Sequence, residues 1–267
     1  MKQVCLTIAG SDSGGEAGIQ ADLKTFSDLR AYGISAITAV TAQNPEKVIS
    51  VNPVSKDALR DQIKAADYFK PIFIKSGLLY TVDHIEVVIE YIDSNKTLVT
   101  DPLLISTSGK ELMKRDAYEI FKSTLLPKTS LITPNLPEME KLTDSKIKSE
   151  DDIKDAIKRL YDVIESAIYL KGGHSQSPGT DYLFDGNELV RLSCDEVTVR
   201  SSHGTGCRLS SALCASMANG QSLLEAAISA KNYVLNCLKS SSQLRNGLYV
   251  MDSAGMSNKN NIEIETL

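Results

Sequence analysis

Val4-Cys5-Leu6-Thr7-Ile8-Ala9, followed at once by Gly10-Ser11-Asp12-Ser13-Gly14-Gly15-Glu16-Ala17-Gly18, sets a short, mostly apolar run against a glycine-bearing turn. A run this brief, stopped by glycine and lacking a helical stripe, predicts a buried strand. Beyond the turn, Ile19, Leu23, Phe26 and Leu29 recur at roughly helical spacing over Gly18–Arg30, and Gly33 stands where the helix should end. Strand, turn and helix in that order form the unit from which parallel α/β sheets are built.

The same alternation runs on through Ile34–Ala42, Ile72–Lys75, Thr97–Thr100, Ser130–Thr133 and Ala167–Leu170, with helix-like segments between the runs. Thr81–Tyr91 and Glu150–Ile164 are amphipathic, and Ser222-x-x-Glu225 is a capping box opening a helix to about Leu238. Only Asp181–Arg200 differs, reading as an antiparallel hairpin around Asp185-Gly186-Asn187. The expected fold is α/β, a mainly parallel central sheet with helices on both faces. No repeat or linker divides the chain, so residues 1–251 read as one domain. The polar stretch 252–267 reads as a poorly ordered tail.

At 267 residues and 42% hydrophobic content the chain can bury a large single core. A net charge of −5 argues against nucleic acid or an anionic membrane as partner, since both leave a basic footprint. Five cysteines without a C-x-x-C pair suggest neither a disulfide framework nor a zinc site, so a reducing compartment fits. The apolar run at Val4–Ala9 is too short for a signal peptide or membrane span, and the cytosol is the expected location.

Several strand ends carry residues suited to chemistry. The turn Gly10–Gly18 lets backbone approach a ligand and leaves its N–H groups free, although it fits neither the phosphate-loop nor the dinucleotide spacing. A plain flexible turn explains it equally well. His203-Gly204-Thr205-Gly206-Cys207 stands at the start of a helix, where open N–H groups and the helix dipole favour an anion such as a transferring phosphoryl group. A thiol there should have a lowered pKa, suited to taking a proton from a hydroxyl. The alternative is a small buried cysteine beside a capping turn. Asn135 and Glu138, in Thr-Pro-Asn-Leu-Pro-Glu, offer an amide and a carboxylate where open sheets bind ligands, though turn chemistry explains the prolines too. Asp101 ends another strand and suits Mg²⁺ held through water, and Lys171 puts a cation at a third strand end. Metal-assisted phosphoryl transfer needs this set.

Residues 10–25, Thr41-Ala42-Gln43-Asn44, 133–138, Lys171-Gly172-Gly173-His174 and 203–207 together resemble the hydroxymethylpyrimidine/phosphomethylpyrimidine kinases, in that family's order and over about residues 3–240. The resemblance implies a ribokinase-like fold, usually a homodimer. It implies that ATP and Mg²⁺ are used to phosphorylate 4-amino-5-hydroxymethyl-2-methylpyrimidine and then its monophosphate, in thiamine biosynthesis. By position, Cys207 matches the family's catalytic base and Gly204, Thr205 and Gly206 its anion hole. Gln43 matches the aminopyrimidine contact, with Gly10, Ala17 and Asp22 near the same ring. Lys171 matches the phosphate-contacting lysine. Asp101, Asn135 and Glu138 match positions around metal and nucleotide phosphates, with no direct protein cage for Mg²⁺.

The chain departs from that pattern in places. Glu16 replaces a small residue and sets a carboxylate near an anionic monophosphate; Leu78 stands for a methionine that packs on the pyrimidine; Pro45, Glu46 and Ser76 also differ. Arg208 replaces threonine, and its guanidinium either contacts phosphate or lies in solvent. A pyridoxal-type kinase of the same fold and a catalytically silent pyrimidine-binding protein are the competing readings. His84, His174 and His203 stand singly, without the spacing of metal ligands.

Overall fold

The computed structural model describes residues 1–44, 46–104, 113–172, 179–195, 197, 199–253 and 259–267. Pro45, Gly173 and His174, singled out in the sequence, lie outside them. In chain order the elements are β1 (Val4–Asp12), α1 (Gly18–Asp28), β2 (Tyr32–Gln43), β3 (Val48–Pro53), α2 (Lys56–Ala66), β4 (Phe73–Ser76), α3 (Val82–Tyr91), β5 (Thr97–Thr100) and α4 (Arg115–Ile120). There follow β6 (Leu131–Ile132), α5 (Leu136–Thr143), α6 (Glu150–Ile164), β7 (Ala167–Leu170), β8 (Thr180–Phe184) and β9 (Leu189–Cys194). The chain ends through α7 (Thr205–Ala218), α8 (Leu223–Lys239), β10 (Ser242–Gln243), β11 (Tyr249–Val250) and β12 (Ile262–Thr266).

Among the described residues the central sheet runs β12-β9-β8-β7-β6-β5-β4-β1-β2-β3. The strands from β7 across to β2 pair in parallel. Both flanks are antiparallel, through β3 on one side and β8, β9 and β12 on the other. The parallel strands read as continuous apolar runs because both faces are covered. Successive side chains then enter opposite cores. Leu6, Leu98, Ile132 and Ile168 join one core with α2 to α6, while Cys5, Val99, Leu131 and Tyr169 join the other with α1, α7 and α8.

Local chemistry sets the helix starts. Ser149 and Asp152 close a capping box on α6, as Ser222 and Glu225 do on α8. The hairpin around Asp185–Asn187 is β8 and β9, in antiparallel register.

The expected disordered tail is corrected. Ile262–Thr266 pairs antiparallel with β9, and Leu267 N–H donates to Leu189 O at 2.8 Å. Ile262-Glu263-Ile264-Glu265 does alternate with period two, but its side chains are mostly exposed, so it carries little hydrophobic weight as sequence. The open edge of β9 supplies what the segment lacks.

Candidate active site

Parallel strands deliver their C-terminal ends to one edge of the sheet, and the first turn of α7 arrives at the same place. Gly204 takes φ 84°, and a side chain there would run into the Glu16 carbonyl, 1.9 Å from a Cβ. Gly18, at φ 56°, is pressed as closely on the Gly10 carbonyl, at 2.3 Å. Gly204 therefore lets the start of α7 close on the β1–α1 loop, and Gly18 lets that loop fold back on the end of β1. The amides of Gly206 and Cys207 fall in the first turn, where a helix offers no internal acceptor.

Lys171 and Asp101 flank Gly206: a Cβ built on it would meet Lys171 Nζ at 3.3 Å and Asp101 Oδ2 at 3.5 Å. Lys171 Nζ donates to Asp101 Oδ1 at 2.9 Å and lies 3.9 Å from Glu138 Oε2. Burial works against its charge, but Asp101 and Glu138 outweigh burial and raise its pKa. Burial likewise raises the pKa of Glu138, against the pull of Lys171. Glu138 closes a capping box with Asn135 on α5 and accepts from Leu104 N–H at 3.3 Å, so its oxygens are engaged. Asp101 Oδ2 is buried with no hydrogen-bond partner. No group of three or more His, Cys, Asp or Glu converges among the described residues to hold a metal. One open carboxylate oxygen beside a lysine suits a divalent cation carried in on phosphates and reached through water.

Two expectations about this edge are corrected. The β1–α1 loop does not leave its amides free, because Asp12 accepts from Gly14 N–H at 2.7 Å, Glu16 N–H at 3.1 Å and Ala17 N–H at 2.8 Å. An internal carboxylate already fills that nest. Nor is the Cys207 thiol acidified: burial pushes its pKa up to about 11, despite the Lys75 ammonium and an N–H from Gly18. The helix dipole acts on Cys207, but wrapping the sulfur in protein dominates.

Beneath Cys207 lies Asp22, matched by position to the pyrimidine side, together with Lys75, which the sequence reading did not single out. Asp22 and Lys75 are wholly buried and paired at 2.9 Å, and Thr7 and Ser211 hydroxyls donate to the same carboxylate at 2.6 and 2.7 Å. Asp22 therefore has both oxygens engaged below the pocket. The available signal was a lysine at the end of the apolar run Ile72-Phe73-Ile74, in a strand.

At the end of β1, Leu78 packs over Gly10, with its Cδ2 3.1 Å from a Cβ built there, and the half-buried Ala17 precedes α1. Gln43 meets His203 at 3.1 Å through Nε2 of each ring and amide. His203 also lies 3.7 Å from Asp12, whose carboxylate raises the imidazole pKa. A protonated His203 donates, so Gln43 then turns its carbonyl toward it and its NH₂ outward; a neutral one accepts the amide N–H and reverses the face shown.

Glu16 and Arg208 lie elsewhere than expected. Glu16 is buried and its Oε1 accepts from Met251 N–H at 3.1 Å, so the carboxylate is held inside the protein. Arg208 is 1% exposed and donates to Met251 O at 3.0 Å, neither solvated nor on the phosphate side.

An open α/β sheet presenting a glycine-lined helix start, a lysine and carboxylates along one edge defines a small-molecule phosphotransferase of the ribokinase-like fold. The sequence matches the family described as phosphomethylpyrimidine kinase over residues 12–252. It is 41% identical over 248 residues to the hydroxymethylpyrimidine/phosphomethylpyrimidine kinase of Bacillus subtilis, covering 91% of each. It resembles the solved phosphomethylpyrimidine kinase from Clostridium difficile at 38% identity and TM-score 0.78, over 87% of this chain and 98% of that one. It also resembles the pyridoxal kinase from Staphylococcus aureus in complex with ADP, at 32% identity and TM-score 0.88, over 100% and 99%. The chain belongs to the phosphomethylpyrimidine kinase family.

Proposed function

We propose that the protein transfers the γ-phosphoryl group of ATP to the hydroxymethyl oxygen of 4-amino-5-hydroxymethyl-2-methylpyrimidine, and then a second phosphoryl group to the resulting monophosphate, for thiamine biosynthesis. The observation that carries this reading is the convergence of Lys171 and Asp101 on Gly206, one residue before Cys207, at a helix start. In the first step the substrate oxygen forms a bond to the γ-phosphorus as the bond to ADP breaks. The Cys207 sulfur, once deprotonated, takes the hydroxyl proton. The amides of the first turn of α7 and the Lys171 ammonium stabilise the charge on the phosphoryl oxygens.

Mg²⁺ neutralises phosphate charge when bound, and Asp101 is the residue placed to reach it through water. Gln43 matches an aminopyrimidine, whose adjacent donor and acceptor are met by one side-chain amide. Gly10, Ala17 and Leu78 form the wall against the ring. A cavity of about 520 Å³, lined by residues including Cys194, Arg200, Leu235, Lys239 and Asn260, is large enough for the nucleoside of ATP. We assign the working form as a cytosolic homodimer; among the described residues no helix is long and apolar enough to cross a membrane.

A second reading, phosphorylation of pyridoxal at the same site, is favoured by the backbone match to the Staphylococcus aureus enzyme, also solved with pyridoxal at TM-score 0.89. One assay separates them. Purified protein with ATP and Mg²⁺ is given the hydroxymethylpyrimidine, its monophosphate or pyridoxal, and products are resolved by chromatography. Both pyrimidines are expected to react. Turnover of pyridoxal alone would move the substrate assignment to the second reading, and no turnover at all would sink both.

A further inference from the structure

Glu16 and Arg208 come from different elements, carry opposite charges and are both buried, at 5% and 1% exposure. They meet on the backbone of one residue: Met251 N–H donates to Glu16 Oε1 at 3.1 Å, and Arg208 donates from its terminal nitrogen to Met251 O at 3.0 Å. Each also keeps one buried polar atom without a partner, Glu16 Oε2 and Arg208 Nε. Buried charges held this way are tolerated together and costly singly. Their placement bears on the site, since the Glu16 carbonyl abuts Gly204 and Arg208 follows Cys207 directly.

Resting on the pyrimidine-kinase reading above, we propose that Glu16 and Arg208 are paired positioning residues. Bridged by Met251, they hold the β1–α1 loop against the first turn of α7 with their charges balanced, so that the site takes the anionic monophosphate as readily as the neutral alcohol. Without Arg208, the Glu16 carboxylate stands uncompensated one residue from the wall of the anion hole and repels a phosphorylated substrate. Without the Glu16 charge, Arg208 attracts it.

The test compares wild type, Glu16→Gln, Arg208→Met and the double variant, with kcat and KM measured for the hydroxymethylpyrimidine and its monophosphate and a thermal melt for each protein. Arg208→Met is expected to raise the monophosphate KM roughly three- to tenfold and Glu16→Gln to lower it, the size of one unit charge at an effective dielectric near that of protein surfaces. The KM for the neutral alcohol should stay within about twofold, and the double variant should return near wild type. Equal shifts in both KM values, or a double variant no more stable to heat than the worse single one, would overturn the pairing. Should Arg208→Met fail to fold, Glu16→Gln decides alone, because it is isosteric and keeps the Met251 bond: an unchanged substrate ratio refutes the proposal. If wild type phosphorylates neither pyrimidine, the functional reading has failed, and the pairing is judged by melting temperature. A double variant no more stable than the worse single one then refutes it.

Discussion

Cys207 shows how much a single residue's role depends on what surrounds it. Its place at a helix start argues for an acidic thiol, yet its burial sets the pKa at about 11, so the sulfur is protonated at rest. A base of that pKa becomes more available as pH rises. If Cys207 accepts the hydroxyl proton, kcat/KM for the hydroxymethylpyrimidine should climb roughly tenfold per unit between about pH 7 and 9. A flat profile over that range would remove Cys207 as the base. Cys207→Ala is expected to lower kcat by about 10²–10⁴-fold with little change in pyrimidine binding, measured by titration calorimetry alongside turnover. That Cys207 stands at a glycine-lined helix start was legible from Gly204-Thr205-Gly206-Cys207 as text. Its protonation state was not, because the burial that raises the pKa, against the pull of Lys75, comes from packing by residues distant in sequence.

At the scale of elements, the Asp22–Lys75 pair ties α1 to β4, with Thr7 of β1 and Ser211 of α7 on the same carboxylate. Four elements meet on one buried charge. Lys75→Met leaves Asp22 uncompensated and should cost about 3–5 kcal/mol, read as a lowered denaturant midpoint at unchanged slope. A loss under about 1 kcal/mol would mean that Asp22 is protonated or solvated in the variant. The helices were readable because their signals are local: Ser149 with Asp152 and Ser222 with Glu225 mark α6 and α8 from sequence neighbours. At 133–138 the same local logic offered Asn135 and Glu138 as ligand groups. Their side chains close the capping box of α5, and Glu138 reaches Lys171 from within it.

For the whole molecule, the C-terminal segment completes the sheet and the cavity together. Asn260 bonds Asn232 and Asn236 of α8 at 2.8 and 2.9 Å and lines the cavity, while β12 covers the edge of β9. A chain ending at residue 253 loses both contributions. It should show a severalfold higher KM for ATP, little change in KM for the pyrimidine, and a tendency to associate through the bared β9 edge, followed by light scattering. An unchanged KM for ATP would detach this segment from nucleotide binding. The sequence by itself determined the alternation of strand and helix, the glycine turn at 10–18, the anion-ready start of α7 and the family. All of these are written in residues close together in the chain, where periodicity, caps and turns act. Only the tertiary structure decided that Asp12 fills the loop's amides, that burial keeps the Cys207 thiol neutral, that Glu16 and Arg208 share Met251, and that the polar tail is a strand. Each of those depends on burial or on a partner far away in sequence, and neither the dielectric around a group nor a free sheet edge exists until the chain has folded.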